Sequence, residues 1–80
     1  MTSERRLTRA INPVPPDVRK ALVDRGLVEA YEKRPPYQRN DYIGWITGAK
    51  LDWTRQKRLN QMLDELEQGG VYMRMAWRPL

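Results

Sequence analysis

The stretch DYIGWITGAKLDWTRQKRLNQMLDELEQGG, residues 41–70, decides the fold. In its second half Leu59, Met62, Leu63 and Leu66 recur at spacings of three and four, the apolar stripe of an amphipathic helix. That spacing predicts a helix over residues 53–68, with Asp52 as N-cap and Gly69-Gly70 as the stop. In the first half Tyr42, Ile43, Ile46 and Ala49 share a second stripe, bordered by Trp45. They predict a helix over residues 36–49, opened by Pro35-Pro36. Gly44 and Gly48 each cost ~1 kcal/mol against alanine inside a helix. Four residues apart, they either admit a neighbouring backbone or mark a frayed end. The connection is short, so the two stripes face each other. Trp45, Ile46, Leu59, Met62, Leu63 and Leu66 are expected to be buried together.

Upstream, Pro15-Pro16-Asp17 reads as a helix start, because proline suits the first turn and an acid there complements the macrodipole. A helix over residues 16–24 places Val18, Ala21 and Leu22 on one face, with Gly26 as its stop. A shorter helix over 27–33 buries Leu27, Ala30 and Tyr31. Downstream, Val71, Met73, Met75 and Trp77 alternate with Tyr72, Arg74, Ala76 and Arg78, a period of two. This tail is expected to be extended. Its apolar row is expected to cover its own helices, with Trp77 on the core, rather than to pair with the arm or a second chain, since association carries an entropic cost. The resulting expectation is an all-α fold, a small bundle of three to four helices with an extended C-terminal tail. Residues 1–12 form a flexible basic arm, 13–70 the helical domain and 71–80 the tail.

Eighty residues suffice for one small core, worth a few kcal/mol of stability at most. The chain has no cysteine and no histidine. That removes disulfides, thiol nucleophiles, imidazole bases and most zinc sites. No residue set suggests catalysis, so no enzyme, no metal and no cofactor are expected. The start MTSERRLTRAIN lacks the apolar run of a secretory signal, and no stretch approaches the roughly 20 apolar residues of a membrane span. A cytoplasmic location and a monomer are the expectations. The formal charge of +5 favours an anionic partner: nucleic acid, anionic lipid, phosphate ligands or an acidic protein.

The helical stretch carries a family resemblance. Tyr42-Ile43-x-Trp45-Ile46-x-x-Ala49-Lys50, then Thr54-Arg55-x-x-Arg58-Leu59, then Met62-Leu63-x-x-Leu66 and Gly69, resembles the YdeI/OmpD-associated family. Val14-Pro15-x-Asp17-x-x-x-Ala21-Leu22 and Ala30-Tyr31 fit the same pattern, over residues 13–69. The family is linked by name to bacteriocin protection and to an outer-membrane porin. The resemblance implies a non-enzymatic bacterial stress-protection or protein-interaction role. Two departures stand out. Pro35, Pro36 and Tyr37 replace the family's serine-type cap, and Gln38-Arg39-Asn40-Asp41 replaces a basic or histidine-containing run.

Two candidate sites follow from the residues. Lys50, Thr54, Arg55, Lys57 and Arg58 crowd the start of the last helix, where cations oppose the macrodipole. Asp64, Glu65 and Glu67 oppose it at the other end. Violations of local rules tend to mark function, and a helix N-terminus with arginines suits an anion or an acidic partner. The structural alternative is that Arg55 and Arg58 pair with Glu29, Glu32 or Asp41 and tie helices together. Met73, Met75 and Trp77 form the second candidate, a partner-binding tail. Trp45, Trp53, Tyr42 and Tyr31 are read as core. The protein-interaction role has one competitor, a nucleic-acid or other anion-binding module using the basic start of the last helix. That reading lacks a recognisable recognition helix and the aromatic–basic interleaving of single-strand binders.

Overall fold

A computed structural model describes residues 12–78. Apart from Asn12 and Arg78, the expected basic arm and the last residues of the tail lie outside that range. Among the described residues the order is α1 (Pro16–Asp24), α2 (Val28–Glu32), α3 (Pro36–Thr47), α4 (Asp52–Gln68), β1 (Val71–Tyr72) and β2 (Met75–Ala76).

The helices begin and end where their chemistry dictates. Prolines at N1 open α1 and α3, each after an extended proline. After α1 the Leu27 N–H donates to Leu22 O over 2.8 Å and the Gly26 N–H to Val23 O over 3.0 Å. With Gly26 at φ 68°, this is a Schellman closure, and its two apolar partners, Leu22 and Leu27, are both buried. Gly69 ends α4 at φ 82°, its N–H donating to Glu65 O. Asp52 is not the cap expected of it: extended Leu51 holds that position, and Asp52 is the first helical residue, where its charge still complements the dipole. Helix α3 stops at Thr47, whose hydroxyl donates back to Ile43 O over 2.8 Å. The close approach predicted at the glycines occurs at Gly44, but a side chain makes it. A methyl group there would lie 2.9 Å from Asn12 Nδ2, which itself donates to Asn40 O.

The core joins Val18 and Leu22 of α1, Leu27 and Tyr31 around α2, Tyr42, Ile43 and Ile46 of α3, and Leu59, Met62, Leu63 and Leu66 of α4. Trp45 is half-buried at its edge and not inside it. Trp53, also read as core, is 65% exposed.

The fold is not strictly all-α. The tail forms a two-stranded antiparallel hairpin, with Val71 opposite Ala76 and Tyr72 opposite Met75. Its two-residue turn is Met73-Arg74, at φ 50° and 64°. Two successive left-handed residues are the signature of a type I′ turn, whose twist matches that of the strands it joins. Asparagine and glycine normally supply that geometry, and neither is present. The hairpin corrects the predicted apolar row. Met75 is 58% exposed, while Tyr72, assigned to the polar row, packs edge-on against Tyr42 at 5.4 Å and Tyr37 at 5.9 Å. Met73 packs against the core, and Trp77 lies over the buried Arg34 guanidinium at 4.6 Å.

Candidate functional site

Helix α4 turns one side to the core and the other to a cleft. At about 100° per residue, Trp53 is nine positions and half a revolution away from buried Met62. Its indole must therefore face outward. Lys57 follows one turn later, its ammonium 6.0 Å from the Trp53 ring centre. Arg58 lies 5.3 Å over the Trp45 ring and donates from Nη1 to Trp45 O over 2.7 Å. That bond joins α4 to the last turn of α3. Opposite, the hairpin turn contributes Met73 and Arg74, the latter donating from Nε to Gln61 Oε1 over 3.1 Å. Trp45, Trp53, Lys57, Arg58, Met73 and Arg74, with Thr54 and Gln61, line a cleft of about 460 Å³.

Glu65 fixes the hairpin side of this cleft. Its side chain points inward and is buried. The Met73 N–H donates to Oε1 over 2.8 Å and the Arg74 N–H to Oε2 over 2.9 Å. The Tyr42 hydroxyl also donates to Oε1, and Gln61 Nε2 to Oε2 over 3.1 Å. A buried carboxylate with four donors satisfies the demand that buried charge be fully hydrogen-bonded. It also explains how a strained turn persists, since both of its amides are pinned to α4. Burial raises the Tyr42 hydroxyl pKa well above its usual 10.0, and the bond to Glu65 adds to the rise. The main chain of Glu65 is held too: buried Arg34 donates to Glu65 O over 3.0 Å and to Gln38 Oε1 over 3.0 Å.

Of the predicted site residues, Thr54, Lys57, Arg58 and Met73 meet in the cleft. Lys50 is exposed on the connection before α4 and does not line it. Arg55 points away to α1, donating from Nε and Nη2 to the two Asp17 carboxylate oxygens at 3.1 and 3.0 Å. That pair holds the Asp17 carboxyl below its usual pKa and raises that of Arg55. The structural alternative therefore describes Arg55, with Asp17 as partner in place of Glu29, Glu32 or Asp41. Arg58 ties helices as well, through a carbonyl and a ring. Met75 faces solvent and Trp77 sits on Arg34. Trp45, Trp53 and Arg74 were not among the predicted site residues. The outward direction of Trp53 was readable from the stripe opposite it, whereas Arg74 depends on a turn that nothing in its own sequence announces.

Lys57, Arg58 and Arg74 have no carboxylate partner at ion-pair distance among the described residues, and no acid lines the cleft. Among the same residues no three potential metal ligands come together, and no helix is long and apolar enough to cross a membrane.

A family model described as bacteriocin-protection, YdeI or OmpD-associated matches residues 13–69, from the approach to α1 through Gly69. The α4 wall of the cleft lies inside the matched segment and the hairpin beyond it. No curated protein and no solved structure matches the chain.

Proposed function

The chain belongs to the bacteriocin-protection, YdeI or OmpD-associated family, and from that premise we propose that it is a non-enzymatic docking module that engages a partner protein through the cleft between α4 and the hairpin. One observation carries the reading: Trp53 is 65% exposed at the mouth of a cleft that also holds Trp45, Met73 and three cations. Exposed tryptophan beside arginine is the composition of interface hot spots, because both bury large areas with oriented polar ends. A chain this small gains nothing in folding from a tryptophan in water. Catalysis is not part of the proposal, since neither histidine nor cysteine is present to serve as base or nucleophile.

The test is site-specific photocrosslinking. A photoreactive phenylalanine at position 53, compared with one at exposed Lys33 outside the cleft, should give a discrete protein adduct from position 53 alone. Equal adducts from both positions, or none from 53, would defeat the reading. Capture of nucleic acid on the same cleft is the second reading. Lys57 over Trp53 and Arg58 over Trp45 favour it, because single-strand binders combine aromatic platforms with cations.

A further inference from the structure

The geometry points to an acidic linear segment of a partner protein as the occupant of this cleft, with carboxylates on either side of one apolar side chain. The inference rests on the docking reading above and names its chemistry. Charge complementarity is the first ground. Lys57, Arg58 and Arg74 surround an apolar lining of Trp45 and Met73 with Trp53 at its mouth, and no carboxylate among the described residues neutralises them at ion-pair distance. Elsewhere Lys20 pairs with Asp24, Arg25 with Asp64 and Glu67, and Arg55 with Asp17, whereas exposed Arg19, Lys33, Lys50 and Arg78 also lack a carboxylate at ion-pair distance among the described residues but do not line the cleft. Three of the unmatched cations thus share one concave surface with an exposed indole. A carboxylate arriving there meets donors already held in place, since Arg58 is fixed by Trp45 O and Arg74 by Gln61.

The surroundings limit how long the occupant is. The trough that continues along α4 shares Trp53, Lys57 and Arg74 with the cleft but adds Asp52 and Asp64. A nucleic-acid strand needs a positive track along its backbone. Here such a track would run into carboxylates within a few residues of the cleft. A short peptide segment, with its negative charge confined to a few side chains and an apolar residue to place between the indoles, satisfies both the lining and the limit.

The experiment uses the full chain and three probes: a short Asp/Glu peptide with a central leucine, the same peptide with Asn/Gln in place of its acids, and oligothymidylate. Binding is read from the indole N–H shifts of Trp45 and Trp53 and from its salt dependence. The acidic peptide should shift both indoles and weaken as salt rises, while the amide peptide should bind about tenfold or more weakly by comparison. Lys57→Glu and Arg74→Glu place like charges against the peptide, so each should weaken it about tenfold or more. Both side chains are solvent-facing, and the backbone spectrum of each variant checks that it has folded. Equal binding of the amide peptide, tighter binding of oligothymidylate, indifference to both reversals, or no binding of the acidic peptide overturns the inference. If a position-53 adduct forms with a partner while the acidic peptide fails, the docking reading stands and the acidic chemistry falls. If no adduct forms, the docking reading falls with it.

Discussion

Glu65 shows how much depends on single residues here. Next to Leu66 and Met62 it occupies the buried side of α4, where sequence pattern expects an apolar residue. Read along the helix it is one of three acids opposing the macrodipole. In space each is answered: Asp64 and Glu67 by Arg25, and Glu65 by the hairpin amides, Tyr42 and Gln61. The rule-breaking charges at this end of α4 are therefore structural. Glu65→Ala strands the buried Tyr42 hydroxyl and releases the turn. Each orphaned buried donor costs about 1–3 kcal/mol, so chemical denaturation should record a loss of about 3 kcal/mol or more. Glu65→Gln keeps the shape but sets an amide among four donors, and should lose less. An unchanged midpoint for both variants would remove Glu65 from the role given to it. The candidate site was only partly legible at this scale. Thr54, Lys57 and Arg58 stood out because their charges crowd one helix start, whereas the partners of Arg55 and Glu65 are distant in sequence and have no local signal.

The four helices were legible to within a residue or two, because stripe spacing, proline starts and glycine stops all agree. Leu63→Ala opens a cavity where α3 meets α4, and should lower the thermal midpoint by the equivalent of about 2–5 kcal/mol, enough to unfold much of a domain this small. The hairpin was legible only as alternation. Its turn residues, methionine and arginine, carry no turn preference, so two strands read as one. What bends the chain back is a carboxylate on another element, a tertiary cause invisible to local pattern. Truncation after Gly70 removes two of the four donors to Glu65, the Met73 and Arg74 amides, and uncovers Tyr42. Stability should fall sharply in denaturant, with sedimentation showing the same number of subunits before and after. A full-length dimer that becomes monomeric on truncation would instead place the hairpin in an interface.

At the scale of the whole molecule, ion pairs tie α1 and its exit to the long helix that carries the cleft. Asp17–Arg55 is the clearest, with the Asp17 side chain 45% exposed. Its carboxyl has a lower pKa in the folded chain than its ordinary 3.8. The pair therefore contributes above that ordinary value and is lost as pH falls through the lower folded one. Solvent screening limits the contribution to about 1 kcal/mol. The gap in denaturation midpoint between the parent and Asp17→Asn should be open at about pH 5 and narrow as pH falls below the ordinary 3.8. A gap that stays constant would mean the pair contributes nothing through charge. The turn at Met73-Arg74 has a wider consequence. Left-handed backbone costs an ordinary residue about 1–2 kcal/mol, which Asn-Gly would largely recover. The same exchange would delete a thioether and a guanidinium from the cleft. A library randomised at these two positions should then divide by the sieve applied to it. Sorted by heat it should enrich Asn-Gly; sorted by ligand capture it should retain a long apolar residue followed by a cation. Robustness and recognition would be competing for the same two codons.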